Sequence, residues 1–382
     1  MWVLTMEKNL FLDGFREFVD TQVVAYATKW DIAGEIPENV IRDFCGTGCL
    51  SMLVPCDYGG LGSNMMSFGE ANIVLGRGCS SLRSVLTVHS MVCSAIARWG
   101  KPTQKQRWLP HLASGESIGA FALSEPEAGS DISSIKLDAA EQDDGYLLNG
   151  VKTWITFGQR ADLFLCFAQT KAGPAAFVVP RDSDGLTIVP IRSMTGTKAS
   201  MLARLEFSDC LIPTDNLIGR PGFGLTTVAA SALEIGRYSV ACGSAAILQA
   251  CSEGAFDHAR TRRQFGVILL EHQLIAAKLS SMATNLQAAI LLCHEAGRQM
   301  DSKSENSSQA IWMAKYFSST RAFEAAGDYI QIMGAQGLDE QADAQRHLRD
   351  AKVTEIIEGS TQLQEISIAN MFQNRPGVIS HA

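Results

Sequence analysis

The sequence predicts an α+β protein built as three consecutive regions: a helical N-terminal domain (1–118), a central antiparallel β-domain (119–225) and a C-terminal helical bundle (226–382). Two observations carry this. At both ends of the chain apolar residues recur at spacings of three and four, the period of a helix with one buried face. Between them lie short apolar stretches divided by glycine, proline and aspartate, the texture of a compact sheet.

Phe11, Phe15 and Phe18 make the first core-facing stripe, and Ile41, Phe44 and Leu50 a second helical face. Tyr58–Gly62 is a glycine-rich break before a mostly apolar helical run, Gly78–Trp99. Pro102 opens a further segment, helical over Gln104–Leu109. In the central region Asn149-Gly150 signals a hairpin, because that pair takes the positive φ values of a type I′ turn. Short strands are expected at Trp154–Phe157, Leu163–Ala168, Ala176–Val179, Leu186–Val189 and Leu202–Phe207. Leu225–Cys251 reads as a buried helix carrying Glu234 and Arg237. Ile275, Leu279, Met282, Leu286, Ala289 and Cys293 line one face of a long helix. Ala310–Met333 and Arg349–Phe372 are further helices, with Asp301–Gln309 a loose linker. Long helices with short connections favour an antiparallel bundle.

Composition narrows the function classes. With 46% hydrophobic and 19% charged residues the chain supports a large core, so disorder is excluded as its main state. The net charge is −8 and no basic stripe is interleaved with aromatics, so no nucleic-acid partner is expected. No apolar window of helix length lacks charge, and no membrane span is expected. The N-terminus has no basic start followed by an apolar stretch, and the ten cysteines are scattered without a Cys-x-x-Cys pair. These features suggest a cytoplasmic protein with reduced, buried thiols and no structural zinc. Dinucleotide-fold, P-loop and nucleophile-elbow motifs are missing.

Five clusters remain. Phe121–Asp131 mixes apolar residues, hydroxyls and a glycine turn, as an ordinary loop also does. Trp154-Ile155-Thr156 offers an aromatic face and a hydroxyl on one strand, suited to a flat heteroaromatic ligand or to plain packing. Arg262–Gly266 with Glu271-His272-Gln273 is a cationic helix end with an aromatic, a phosphate site or a solvated terminus. Gln331–Gly337 has small residues that let a ligand approach or cap a helix. In Ile356–Gln364 a carboxylate, Glu358, follows two isoleucines and precedes a glycine. An apolar setting raises a carboxyl pKa and suits a catalytic base.

In this order the clusters resemble the acyl-CoA dehydrogenase family of flavoproteins over nearly the full chain. The resemblance extends to Leu112–Asp131, Tyr58–Gly62, Phe207–Asp209, Asn216–Gly219 and Arg349–Lys352. It implies a helical domain, a β-domain and a four-helix bundle around FAD. Phe121, Leu123, Ser124, Gly129, Ser130, Trp154, Ile155 and Thr156 would then line FAD, with Ser124 and Thr156 bonding the flavin ring. Arg262, Phe265, His272, Gln273, Gln331, Gly334 and Ala335 would contact the FAD of a neighbouring subunit, and Ser360 and Gln362 would also touch the cofactor. That sharing implies a homo-oligomer. Ser130, Glu234, Arg237 and Gly359 would meet substrate, and Glu358 would be the base that takes the α-proton of an acyl thioester while a β-hydride leaves for the flavin. Relatives with another base carry Glu before the arginine; here that residue is Gly236.

Gly334-Ala335-Gln336-Gly337, in place of a more common double glycine, together with Glu365 and Asn370, departs from the family pattern. They open the reading that the acyl group is hydroxylated and carried by acyl carrier protein, as in polyketide extender-unit (methoxymalonyl) formation. The electron acceptor expected is an electron-transfer flavoprotein. The competing expectations are an oxidase using O₂ and a catalytically silent flavin-binding subunit.

Overall fold

A computed structural model describes residues 11–374. Residues 11–18 are helical and run into a wider turn at Val19–Val23; Phe11, Phe15 and Phe18 stack in series and Phe18 meets Phe44. Five helices follow: α1 (Ala27–Ala33), α2 (Glu38–Gly46), α3 (Met65–Gly78), α4 (Ser80–Trp99) and α5 (Pro102–Ser114). The run expected from Gly78 to Trp99 begins instead at Ser80, because extended Cys79 breaks the chain and its thiol caps the Leu82 N–H. Pro102 sits in the first turn of α5, where its missing N–H costs nothing.

The central sheet holds β1 (Gly119–Ala122), β2 (Asp138–Gln142), β3 (Gly145–Ile155), β4 (Leu163–Thr170), β5 (Gly173–Pro180), β6 (Leu186–Pro190), β7 (Ala203–Pro213) and β8 (Leu217–Ile218). Their order is β6-β7-β3-β2-β4-β5-β8, with β1 beside β4. Two expectations are corrected here. The sheet is mixed, since β1 and β2 both pair with β4 in parallel. Asn149-Gly150 is not a turn: β3 runs straight through it, and the β2–β3 reversal falls at residues 143–144. The pair forms a bulge against β7, pinned by two hydrogen bonds between the Asn149 amide and Asp209. Trp154–Phe157 is likewise no separate strand, but the end of β3 and the turn after it.

The bundle comprises α6 (Ala230–Thr261), α7 (Gln273–Asp301), α8 (Ser307–Met333), α9 (Asp343–Ile356) and α10 (Thr361–Asn374). Leu279, Met282, Ala289 and Cys293 form the buried stripe of α7, as their spacing predicts. The helix expected over Arg349–Phe372 is split at residues 357–360, where Glu358 (φ 56°) and Gly359 (φ 93°) leave helical geometry. The linker expected at Asp301–Gln309 is a tight turn; the Asp301 carboxylate accepts from the Met65 and Met66 N–H groups and caps α3. Arg262 follows α6 as expected of a helix end, but the residues after it form a hairpin, β9 (Arg263–Gln264) and β10 (Val267–Ile268), with Phe265 at its tip. All ten cysteines are free; Cys56 is exposed rather than buried.

Candidate active site

The split between α9 and α10 makes the central feature of the site. Ile357 closes α9 with a bond to the Val353 carbonyl, and the left-handed backbone at Glu358 then turns its carboxyl back against α6. A Cβ at Gly236 would lie 2.6 Å from Glu358 Cδ and 2.9 Å from Met91 Sδ. Only glycine on that face of α6 leaves room for the carboxyl group. Glu358 Oε2 is sealed and finds no hydrogen-bond partner among the described residues.

Two buried cations, Lys315 and Arg83, and the half-buried Arg237 surround this carboxyl without bonding to it. Arg237 Nε donates to the Glu358 carbonyl at 3.2 Å, Lys315 Nζ donates to the Gly359 carbonyl at 2.5 Å, and Arg83 lies deeper between α4 and α6. Gln364 adds a donor to the carbonyls of 358 and 359. Burial pushes the Glu358 carboxyl up to about 7, against the opposing pull of Arg237, Lys315 and Arg83. Burial pushes Lys315 down to about 8. The group is therefore a carboxylic acid poised near neutrality with a free oxygen, the state required of a general base.

A second patch lies at the edge of the sheet. Thr153 N–H donates to the Ser124 carbonyl at 2.9 Å, bringing the loop after β1 against the end of β3. Trp154, held at φ 60°, leaves 54% of its surface open, beside partly exposed Ser124 and Thr156. A strained, exposed tryptophan flanked by hydroxyls fits a flat polar ring. The side chains of Phe121, Leu123 and Ile155 do not join this surface: β1 is buried on both faces, Phe121 packs on Phe167 at 5.1 Å, and Ile155 points into the sheet core. Gly129 and Ser130 are exposed on the loop.

Two residues that sequence reasoning passed over hold that loop. Glu125 accepts from the Lys136 and Leu137 N–H groups and from Lys152 Nζ at 2.7 Å, and Lys152 also donates to the Leu123 carbonyl. Both are buried. A lysine at an inward-facing strand position was the available signal, since such a charge stays buried only when paired.

The remaining expected residues spread over the bundle surface. Glu234 accepts from Ser308, so it ties α6 to α8. Ser360 Oγ caps the Leu363 N–H at the start of α10, and Gln362 is exposed. Phe265 is 94% exposed, with its ring centroid 6.1 Å from that of His272; Arg262 and Gln273 are exposed beside them. Gln331, Gly334 and Ala335 are exposed at the end of α8, where Gly334 (φ 63°) stops the helix. None of these hydrogen-bonds to Ser124, Trp154 or Thr156 among the described residues.

Three domain profiles match the chain: acyl-CoA dehydrogenase N-terminal domain over 5–116, middle domain over 120–210 and C-terminal domain over 224–372. The human mitochondrial short-chain specific acyl-CoA dehydrogenase is 35% identical over 367 residues, covering 94% of this chain and 89% of that protein. Among solved structures, butyryl-CoA dehydrogenase from Megasphaera elsdenii superposes with a TM-score of 0.92 at 29% identity, covering 96% of this chain and 98% of that one. FkbI, for biosynthesis of the methoxymalonyl extender unit of a polyketide immunosuppressant, gives 0.88 at 31% identity, covering 96% and 99%.

Proposed function

Because this chain belongs to the acyl-CoA dehydrogenase family, we propose that Glu358 is the base of its α,β-dehydrogenation and that the Trp154 patch seats its flavin. The protein is an FAD-dependent oxidoreductase of the acyl-CoA dehydrogenase type, acting on acyl thioesters. One observation carries the residue assignment: a sealed carboxyl oxygen without a partner, on a residue raised to about 7, packed against a glycine that makes space for it.

Ser124 and Thr156 supply hydroxyls and Trp154 an aromatic face to the flavin; bound there, FAD supplies the acceptor for the β-hydride. Glu358 takes the α-proton of the thioester on its free oxygen. The α-proton is far less acidic than a carboxylic acid, so charge developing on the thioester carbonyl must be met by donors. The Glu358 N–H, just past the last bond of α9, is the donor this chain offers. Arg237 and Lys315 fix the carbonyls of 358 and 359, so the base and that N–H are held as one unit. Exclusion of water by the acyl chain raises the base further and favours transfer.

Phe265, Gln273, Gln331 and Ala335, exposed on the bundle, serve the site of a second copy. Helix α7 supports a homo-oligomer: its most apolar 18-residue window has a mean hydropathy of 1.2, yet only 17% of that window is buried within one chain. An electron-transfer flavoprotein is the acceptor favoured by the family. Ten unpaired cysteines suit a reducing, cytoplasmic setting.

The likeness to FkbI supports a second reading, in which the acyl group rides on acyl carrier protein. Anaerobic bleaching of the flavin by one acyl group on CoA and on carrier protein separates the two. Bleaching by neither carrier rejects dehydrogenation by this site.

A further inference from the structure

Most buried cations near the site have an evident reason to be there. Lys152 is paired with Glu125 at 2.7 Å, Arg349 with Asp31 at 2.6 Å, and Lys315 holds backbone carbonyls of the Glu358 loop. Arg83 is different. It is 1% exposed, yet its hydrogen bonds go to the Thr87 hydroxyl at 2.9 Å, the Ser239 hydroxyl at 3.2 Å and the Ser239 carbonyl at 3.5 Å, all neutral. Its Nε has no acceptor among the described residues. An arginine keeps its charge even when buried, and burial lowers Arg83 only to about 10. A guanidinium without an anion in contact is costly to bury, so a chain that retains one has a use for it.

The fold makes room for this side chain deliberately. A Cβ at Gly243 would lie 2.5 Å from Arg83 Cδ, and one at Gly76 would lie 3.2 Å from the same atom. Glycine on both α3 and α6 is therefore needed where the arginine passes. The position relative to the base is set by helix periodicity. Arg83, Thr87 and Met91 lie four residues apart on one face of α4. Gly236 and Ser239 lie three apart on α6, facing them. Glu358 sits at the Met91–Gly236 level, and the guanidinium bonds at the Thr87–Ser239 level. The two levels are about one helical turn apart, roughly 5 Å. That is the reach from the α-carbon of a four- or five-carbon acyl chain to a group at its far end. The Thr87 and Ser239 hydroxyls bond each other at 2.7 Å, and Ser239 donates to Asn72 Oδ1 at 2.5 Å.

We propose that Arg83 is the recognition group for a short acyl thioester whose chain ends in a carboxylate. The thioester end lies beside Glu358 and the distal carboxylate on the guanidinium. The inference deepens the dehydrogenase reading and rests on it for the position of the thioester. Arginine suits this task because its planar fork meets a carboxylate with two parallel bonds. An ordinary saturated acyl chain would leave the buried guanidinium without an anion, which is a strong form of discrimination.

The test is binding to the FAD holoenzyme of two isosteric pairs, succinyl-CoA against butyryl-CoA and glutaryl-CoA against pentanoyl-CoA. Wild type is expected to bind at least one acidic member tenfold or more tighter than its neutral counterpart, and Arg83→Gln to erase that ratio. Equal affinities in wild type for both pairs, or a preference that survives Arg83→Gln, overturn the proposal. Should Arg83→Gln fail to retain FAD, the wild-type ratio decides alone, with a ratio near one for both pairs rejecting it. Flavin bleaching is scored separately. Tight, Arg83-dependent binding of an acidic thioester without bleaching supports the anion site while rejecting dehydrogenation by Glu358.

Discussion

In the proposed reading Glu358 is the residue on which the chemistry turns. Its environment raises it to about 7 by burial, more than the surrounding cations lower it. A base must be ionised to accept a proton, so kcat/KM should rise with pH through about 7 and level off above it; Glu358→Gln should remove that limb. The same substitution should cut turnover by roughly 100- to 10,000-fold while the protein stays yellow. Near-normal turnover would reject the assignment. The stability sign follows from linkage. Between the unfolded value of 4.5 and about 7 the native state holds a proton that the unfolded chain has released. Stability contributed by this group is thus present at low pH and lost as pH rises through that window, so Glu358→Gln should melt higher than wild type at pH 8. Gly236 is the second decisive residue. Gly236→Ala places a methyl into the carboxyl's space. A displacement on the order of 1 Å at a reacting group costs about 100-fold, to be read as kcat with FAD content unchanged.

At the scale of elements, the break between α9 and α10 does what a continuous helix cannot. A helical Glu358 would point along one face with its N–H bonded to the preceding turn. Two positive φ values free that N–H and redirect the side chain. Lys315, from the middle of α8, is the positioning residue for this break. Lys315→Met removes both a hydrogen bond and a cation that lowers Glu358. The ascending limb of the pH profile should therefore move to higher pH as kcat falls. A drop in kcat with the limb unmoved would leave Lys315 a merely structural role. The Trp154 patch is organised the same way, by Glu125 and Lys152 beneath an exposed loop. The sequence offered Lys152 as a signal but not its partner, and a buried charge shows its purpose only through its partner. The clusters at Trp154 and Glu358 were legible as candidates, since each holds a residue at positive φ with hydroxyl, glycine or aromatic signals nearby. That the side chains of Phe121, Leu123 and Ile155 turn inward was not legible, because alternation along a strand fixes side-chain direction only once the faces of the sheet are known.

At the scale of the molecule, the three regions share one buried core. Trp99 Nε1 donates to Ser231 at 2.8 Å, Gln104 donates to the carbonyls of Asp215 and Leu217, and Ser84 meets Ser200 at 3.0 Å. The Arg349-Asp350 pair joins all three: Arg349 pairs with Asp31 and donates to the Thr195 carbonyl, while Asp350 accepts from the Thr197 N–H. Arg349→Met leaves Asp31 charged and buried, and should cost about 3 kcal/mol in equilibrium denaturation. The unfolding should remain a single transition, because the regions do not carry separate cores. Two transitions in the wild-type protein would contradict this. The sequence by itself determined the three-region order and the family, and it singled out Glu358 as a candidate, because periodicity and local backbone demands are written in neighbouring residues. The tertiary structure decided what neighbouring residues cannot encode. It fixed the course of β3 through Asn149-Gly150, the space Gly236 makes for the base, and the buried cations around it. Those depend on side chains that meet across α4, α6 and α8 from positions tens to hundreds of residues apart, where burial and charge act through space.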